Sequence, residues 1–307
     1  MRILVVGAGG VGGYFGGRLL AAKCDVTFLV RPGRAAQLAR AGLRIRSPAG
    51  NLDLPAPPTV LAGRITRDFD VVLLSCKAYD LDGAIESFAP AVGKDTVILP
   101  VLNGMRHLDV LTERFGPAPV LGGQCFISAV VDSEGGIVHM NDMHSLTFGE
   151  LDGSRSTRAV EVAGVLAAGA FESRLSENIL PEMWEKWVFI AAGAGMTCLM
   201  RAAIGDIITA GATDLIGAII EECAQIASEA GFPLAPSALD RTRATLTNPS
   251  SRLTSSMLRD VERGGRIEAD HILGDLLHRA GASAPKSLLR IAFAHLKAYE
   301  ARRAVGE

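Results

Sequence analysis

The chain opens on Met1-Arg-Ile-Leu-Val-Val-Gly7-Ala-Gly9-Gly-Val-Gly12, an apolar strand pattern that runs directly into glycines spaced G-x-G-x-x-G. We expect Gly7 to allow a tight turn, Gly9 to let a pyrophosphate approach the backbone, and Gly12 to let the following helix pack on the strand. The N-terminus of that helix adds unpaired N–H groups and partial positive charge. The stretch therefore predicts a dinucleotide-binding βαβ unit, and a glycine-rich turn without a ligand is the alternative.

The length and composition are those of a globular protein. The 307 residues suffice for two domains with a large buried core, and 49% of them are hydrophobic against 21% charged. The formal net charge of −2 offers no attraction for nucleic acid or an anionic membrane. A small molecule is therefore the expected partner, with no nucleic acid and no membrane.

The five cysteines and six histidines show none of the spacings typical of metal ligands. We therefore expect no metal and a reducing, cytoplasmic environment. No signal peptide is expected, because the apolar N-terminus is interrupted by glycines and is itself a strand. The apolar run from Trp187 to Met200 is too short for a membrane span and predicts a buried helix.

The first 178 residues alternate strand and helix patterns, which is typical of a doubly wound α/β sheet of Rossmann type. The predicted strands are 3–6, 26–30, 70–75, 96–99, 120–122, 129–132, 136–140, 145–149 and 171–176. Short turns such as Glu134-Gly-Gly join the later runs, so these are expected to extend the sheet in antiparallel fashion.

Residues 179–307 show helical periodicity, and Pro233, Pro236 and Pro249 are expected to lie in the gaps between helices. The predicted helices are 184–200, 212–230, 251–263, 267–280 and 285–303. The expected fold is thus a dinucleotide-binding domain, 1–178, followed by an all-helical domain, 179–307. The cleft between two such domains is the default position for an active site.

The end of the second strand indicates which dinucleotide binds. An acidic residue there accepts hydrogen bonds from the ribose hydroxyls of NAD, whereas a basic residue accommodates the 2′-phosphate of NADP. This chain has Phe28-Leu-Val-Arg31-Pro-Gly-Arg34, with no carboxylate in the window. We expect Arg31 to bind the phosphate bidentately and Arg34 to add charge. The prediction is NADP, and a solvated loop of arginines is the alternative.

Four spaced blocks, spread over nearly the whole chain, resemble the ketopantoate reductase (2-dehydropantoate 2-reductase) family. They are Gly7-x-Gly9-x-x-Gly12, Ser75-Cys-Lys77-Ala, Leu102-Asn103-Gly104-Met105, and Trp184-Glu-Lys186 with the later Ser255-Ser256-Met257-Leu-Arg-Asp260 and Glu268-Ala-Asp270. The resemblance implies a second domain like the helical C-terminal domain of 6-phosphogluconate dehydrogenase. It also implies NADPH-dependent reduction of ketopantoate to pantoate, the precursor of pantothenate.

The resemblance also implies roles for single residues. Lys77 resembles the family lysine that contacts the cofactor, and Asn103 the asparagine that touches both nicotinamide and substrate. Ser256 resembles the serine that holds the substrate carboxylate. Glu268 resembles the acid that reaches the cofactor or orients the catalytic lysine.

Lys186 resembles the general acid of the family. Ketone reduction develops negative charge on oxygen, which needs a nearby cation able to deliver a proton. Trp184 and Trp187 flank Lys186 on an apolar helix, and partial desolvation is expected to lower the pKa of its amine. From the residues alone, a lysine that extends its amine to solvent is the alternative.

Two acidic residues of the matching blocks, Asp260 and Asp270, lie close in sequence to Arg259, Arg263 and Arg266. We expect these acids to form structural ion pairs with the arginines.

The pocket departs from the family at two positions. Ile190 and Ala194 stand where the family has asparagines, and both share a helix face with Lys186. An apolar wall cannot pair with the hydroxyl group of ketopantoate, so a more apolar 2-oxo acid or an imine is an alternative substrate. A non-catalytic NADP-binding sensor is a further alternative. The apolar residues of the helical domain are compatible with a homodimer and equally with a core buried within one chain.

Overall fold

The computed structural model describes residues 1–281 and 287–306. Contacts divide the chain into a first unit, Met1–Leu102 with His107–Ile179, and a second unit, Asn103–Arg106 with Leu180–Glu307. The segment Asn103–Arg106 therefore groups with the helical residues, although its neighbours in sequence belong to the first unit.

Ten strands lie in the first unit, all of whose residues are described. They are β1 (Arg2–Val6), β2 (Asp25–Leu29), β3 (Leu43–Arg46), β4 (Leu52–Leu54), β5 (Thr59–Val60), β6 (Val71–Leu74), β7 (Val97–Pro100), β8 (Leu121–Val131), β9 (Ile137–Glu150) and β10 (Glu172–Leu175). Helices α1 (Gly10–Ala21), α2 (Pro32–Ala41), α3 (Leu81–Phe88), α4 (Arg106–Phe115) and α5 (Thr157–Leu166) accompany them.

One sheet has the strand order β5-β2-β1-β6-β7, and all of its pairs are parallel. Strand β1 is central, since Ile3 pairs with Val26 on one side and with Val71 on the other. Strands β6 and β7 are buried along their whole length, as expected for a parallel sheet covered by helices. The predicted Rossmann-type α/β fold is confirmed.

The later strands form a second sheet, so the expectation that they extend the first one is wrong. Its order is β10-β9-β3-β4, and β8 pairs with β9 in antiparallel fashion. The predicted runs 120–122 and 129–132 belong to β8, and 136–140 and 145–149 both belong to β9. The apolar alternation is interrupted between the two predicted runs of each strand. In β9 the ladder is irregular at the same place, because Ile127 pairs with His144 whereas Ala129 pairs with His139, so the register shifts over residues 140–143.

The turn between β8 and β9 lies where it was predicted, at Glu134-Gly-Gly. The N–H of Asp132 donates to the carbonyl oxygen of Gly136 at 2.8 Å, and Gly135 has φ +84°. Strands β3, β4 and β5 were not predicted, because they are short and carry charged residues such as Arg44 and Asp53.

The described part of the second unit consists of helices. They are α6 (Ile179–Met200), α7 (Ile204–Thr209), α8 (Thr213–Glu229), α9 (Pro236–Leu246), α10 (Ser256–Glu262), a π-helical turn (Asp270–Gly274), α11 (Asp275–Arg279) and α12 (Leu288–Ala304). None of the helices among the described residues is long and apolar enough to cross a membrane.

Several predicted helix boundaries need correction. Helices α7 and α9 were not predicted, and Pro236 begins α9 instead of marking a gap, a position that suits proline because its missing N–H is not needed there. The predicted helix 251–263 begins at Ser256, and 267–280 is interrupted by the π-helical turn. The first residues of the predicted helix 285–303 lie outside the described residues.

Candidate active site

The glycine loop after β1 leaves open space at one position and close contacts at another. Gly7 has φ +93°, which favours glycine in the turn. A methyl group at Gly12 would overlap the carbonyl oxygen of Gly7 and the Oγ of Ser75, whereas one at Gly9 would meet no atom within 4 Å. Gly9 is the N-cap of α1, and the first turn of α1 carries no acidic residue. This cradle fits a pyrophosphate group.

Arg34 donates hydrogen bonds to the backbone of the glycine loop. Its Nε and Nη2 donate to the carbonyl oxygen of Ala8 at 3.1 and 2.8 Å, and its Nη1 donates to Gly135 at 2.8 Å and to Gln37 at 2.6 Å. Burial lowers the pKa of Arg34, and the charge of Asp132 opposes this shift. Arg34 therefore connects the loop to the β8–β9 turn, and its expected contribution of positive charge beside Arg31 stays a prediction.

Two cations follow strands that flank β1. Arg31 lies two residues after β2, is 79% exposed, and pairs with Asp80 at 3.0 Å. Lys77 lies three residues after β6 and is half-buried at the start of a 3₁₀ turn, Ala78–Asp80. Asp80 was not identified from the sequence, because it is far from Arg31 along the chain and only the parallel sheet brings the two together.

Lys186 is a buried cation of α6, with 8% of its surface exposed. Its neighbours on α6 are held in place: the indole N–H of Trp187 donates to the carbonyl oxygen of Ile272 at 2.9 Å, and Trp184 stacks on Phe232 with ring centroids 5.3 Å apart. The guanidinium carbon of Arg279 lies 5.5 Å from the centroid of Trp187. Both tryptophans that flank Lys186 in sequence are buried.

Glu268 is also buried, with 9% of its surface exposed, and it lies two residues before the π-helical turn. Its backbone carbonyl accepts hydrogen bonds from the N–H groups of His271 at 3.2 Å and Ile272 at 3.0 Å. Because Ile272 also binds Trp187, the segment that carries Glu268 is attached to the helix that carries Lys186. Single π-helical turns occur frequently at functional sites.

The Asn103 turn packs against the same segment. Gly104 has φ +78°, and a methyl group there would lie 2.8 Å from the carbonyl oxygen of His271 and 2.9 Å from its ring carbon Cδ2. Asn103, Glu268 and Lys186 therefore lie on three segments joined by direct contacts within the second unit. His271 was not predicted, since nothing local in the sequence distinguishes it from other helical histidines.

His271 is 6% exposed, and burial lowers the pKa of its imidazole. Glu268 and Asp275 oppose this shift, as does a hydrogen bond to the Asn103 backbone. A folded pKa below the unfolded value of 6.5 means that the unfolded chain binds more protons. The stabilising contribution is therefore complete above pH 6.5 and is lost as pH falls through the folded pKa.

We expect the free energy of unfolding to fall between pH 7.5 and pH 5.5, and to fall less in His271→Gln. The difference in slope is at most about 1.4 kcal/mol per pH unit, the limit for one proton. Urea unfolding at several pH values measures it, and the exposed His278→Gln is the control. Equal slopes in wild type and His271→Gln would contradict the assignment.

Ser256 is the first residue of α10, whose N-cap residue Ser255 contacts α6 on the face that carries Lys186. Ser255, not Ser256, caps α10: its Oγ accepts from the N–H of Leu258 at 3.0 Å and from the Oγ1 of Thr197 at 2.9 Å. Thr197 follows Lys186 by three helical turns, about 16 Å. The side chain of Ser256 is exposed. Ile190, which is half-buried, and Ala194, which is buried, lie between Lys186 and Thr197.

Asp270 forms an ion pair with Lys297 at 2.9 Å. The expected ion pair therefore exists, but its predicted arginine partner is wrong. Lys297 belongs to α12, which lies far from Asp270 in sequence, so the local sequence did not identify it as the partner.

No cluster of three or more histidine, cysteine, aspartate or glutamate side chains suited to a metal ion occurs among residues 1–281 and 287–306.

Comparison with known proteins identifies relatives over the whole chain. The family model described as "Ketopantoate reductase PanE/ApbA" matches residues 3–153, and "Ketopantoate reductase PanE/ApbA C terminal" matches 178–300. An uncharacterized oxidoreductase, YkpB of Bacillus subtilis, is 40% identical over 99% of this chain and 100% of its own length. The 2-dehydropantoate 2-reductase of Halobacterium salinarum is 26% identical, over 91% of this chain and 92% of that protein.

A solved structure supports the same relationship. The crystal structure of 2-dehydropantoate 2-reductase from Methylococcus capsulatus superposes with a TM-score of 0.85 and 26% identity. The match covers 99% of this chain and 98% of that one.

Proposed function

The chain belongs to the ketopantoate reductase family of pyridine-nucleotide oxidoreductases, and from that premise we propose that it reduces a 2-oxo acid with NADPH, with Lys186 as the proton donor. The observation that carries the proposal is the burial of Lys186 on a helix joined to the Glu268 segment by the Trp187–Ile272 hydrogen bond. Buried titratable side chains are concentrated at functional sites, because burial tunes the energy of their protonation, and this is why the position of Lys186 favours a chemical role.

The residues of the second unit supply acid–base chemistry. Bound NADPH would supply the hydride that reduces the keto carbon. The ammonium group of Lys186 stabilises the negative charge that develops on the keto oxygen and then donates its proton, which leaves an alcohol and a neutral amine. Glu268 is assigned to orient the Lys186 amine or to bind the cofactor, and Asn103 to hold the nicotinamide and the substrate.

The residues of the first unit are assigned to the dinucleotide. Gly7, Gly9 and Gly12 form the cradle for the pyrophosphate at the N-terminus of α1, as their geometry supports. Arg31 is assigned to the 2′-phosphate, and Lys77 to the phosphate or ribose. The exposed guanidinium of Arg31 at the end of β2 supports NADP.

Ketopantoate is the first candidate substrate, because relatives along the whole chain are named 2-dehydropantoate 2-reductases. Ile190 and Ala194 favour a second candidate, a more apolar 2-oxo acid. In either case Ser256 is assigned to the carboxylate, since its hydroxyl is exposed while Ser255 is engaged in capping.

The experiment that tests this function is a screen of 2-oxo acids, with ketopantoate included, that follows NADPH oxidation by absorbance and the hydroxy acid by chromatography. We expect stoichiometric formation of a 2-hydroxy acid from at least one member of the panel. Binding of NADPH without oxidation across the whole panel would instead indicate a sensor and reject the proposal.

A single substitution tests how the pocket selects its substrate. Ile190→Asn introduces a hydrogen-bonding group on the face of Lys186, so we expect kcat/KM for ketopantoate to rise about tenfold relative to trimethylpyruvate, which lacks only the hydroxyl. Ile190→Val keeps the wall apolar and is the control. An unchanged ratio in Ile190→Asn would show that this position does not face the substrate.

A further inference from the structure

Arg31 and Asp80 form an ion pair across the carboxyl end of β1. Arg31 follows β2 and Asp80 follows β6, and these two strands flank β1 on its two sides. Two strand spacings separate β2 from β6 by about 10 Å. Dinucleotides bind outside the carboxyl ends of the strands in folds of this type, so the ion pair spans the place where the adenosine ribose would lie.

Arg31 can leave Asp80 and bind another anion in its place. Arg31 is 79% exposed, so its bond to Asp80 is weak and easily replaced. Asp80 is only 26% exposed and is held in a tight turn by the hydrogen bond from its own N–H to the carbonyl oxygen of Lys77 at 2.9 Å. The carboxylate is therefore the fixed member of the pair, and the arginine is the mobile one.

We propose that Asp80 is a specificity-determining residue. Its carboxylate reduces the factor by which this protein binds NADP more tightly than NAD. The inference rests on the proposed function, because it concerns the same dinucleotide site. A 2′-phosphate bound by Arg31 lies close to the Asp80 carboxylate, and the two negative charges repel each other. NAD carries a hydroxyl group at that place, which donates a hydrogen bond to the carboxylate.

The chain therefore has an acidic residue for the ribose after all. It comes from the turn after β6 instead of from the end of β2, where such residues are sought in sequence. Arg31 then favours NADP and Asp80 favours NAD. The relative strength of these two interactions sets the ratio of the two dissociation constants.

The test is isothermal titration calorimetry of the full chain with NADP⁺ and with NAD⁺ at low ionic strength. In Asp80→Asn we expect Kd for NADP⁺ to fall about fivefold and Kd for NAD⁺ to stay equal or rise. Asp82→Asn removes the same charge from an exposed position two residues later and is the matched control, expected to change neither value by more than about twofold. Asp80→Ser, with a different side chain, should reproduce the shift.

The outcomes separate this inference from the proposed function. If wild type binds NADP⁺ but the ratio of the two Kd values is the same in wild type, Asp80→Asn and Asp80→Ser, the role of Asp80 is rejected and the reductase assignment stands. If wild type binds neither dinucleotide, both are rejected. Persistence of the shift in 0.5 M KCl would also contradict an electrostatic origin.

Discussion

Lys186→Ala is expected to lower kcat for 2-oxo acid reduction by about 10³-fold, since it removes both the proton donor and the cation that stabilises the developing alkoxide. Kd for NADP⁺ should change by less than about threefold, because the groups assigned to the dinucleotide phosphates lie elsewhere in the chain. Single-turnover kinetics with NADPH, together with calorimetry for the cofactor, measure the two effects separately.

Two further variants distinguish charge from proton transfer at this position. Lys186→Arg keeps the positive charge but holds its proton too tightly to donate it near neutral pH, so we expect it to remain slow. Lys94→Ala removes an exposed lysine and is the control. Turnover of Lys186→Ala close to that of wild type would exclude Lys186 as the general acid.

Gly9→Ala is expected to weaken cofactor binding, whereas Gly12→Ala is expected to lower the free energy of unfolding, although both alter the same glycine loop. A methyl group at Gly9 meets no protein atom within 4 Å, so the free energy of unfolding should stay within about 0.5 kcal/mol of wild type. That methyl group fills the space assigned to the pyrophosphate, so Kd for NADP⁺ should rise about 100-fold.

Gly12→Ala should instead destabilise the protein by about 2–3 kcal/mol, because its methyl group overlaps the backbone of Gly7 and the Ser75 side chain. Urea unfolding and calorimetry on both variants test the distinction. Gly164→Ala, a helical position with open space around it, is the control. A Gly9 variant that binds NADP⁺ as tightly as wild type would show that the cradle does not hold the pyrophosphate.

The α/β class and four of the five strands of the first sheet, all except β5, were predictable from the sequence, because the signals that determine them are local. The apolar run before Gly7, the glycine spacing and the runs at β6 and β7 each lie within a few residues. The second sheet was not predictable in the same way. Strand β3 pairs with β9 about ninety residues away, and no local pattern states which sheet a strand joins.

The residues of the candidate site show the same difference between local signals and contacts distant in sequence. Lys186, Asn103 and Glu268 were identified because each lies in a short block that resembles a known family. His271 and Asp80 were not, since their importance comes from contacts with Gly104 and Arg31, which are distant in sequence. Arg34 was identified as a basic residue, but its contacts with Ala8 and Gly135 were not.

By itself, the opening stretch from Met1 to Gly12 determined that this protein has a dinucleotide-binding fold, because a tight turn, a close backbone approach and helix–strand packing are properties of neighbouring residues. Only the tertiary structure decided which side chains stand beside that loop. Parallel strands bring Arg31 and Asp80 to one sheet edge, and helix packing brings the Asn103 turn to His271. Such contacts depend on folding of the whole chain, so their partners cannot be read from spacing along it.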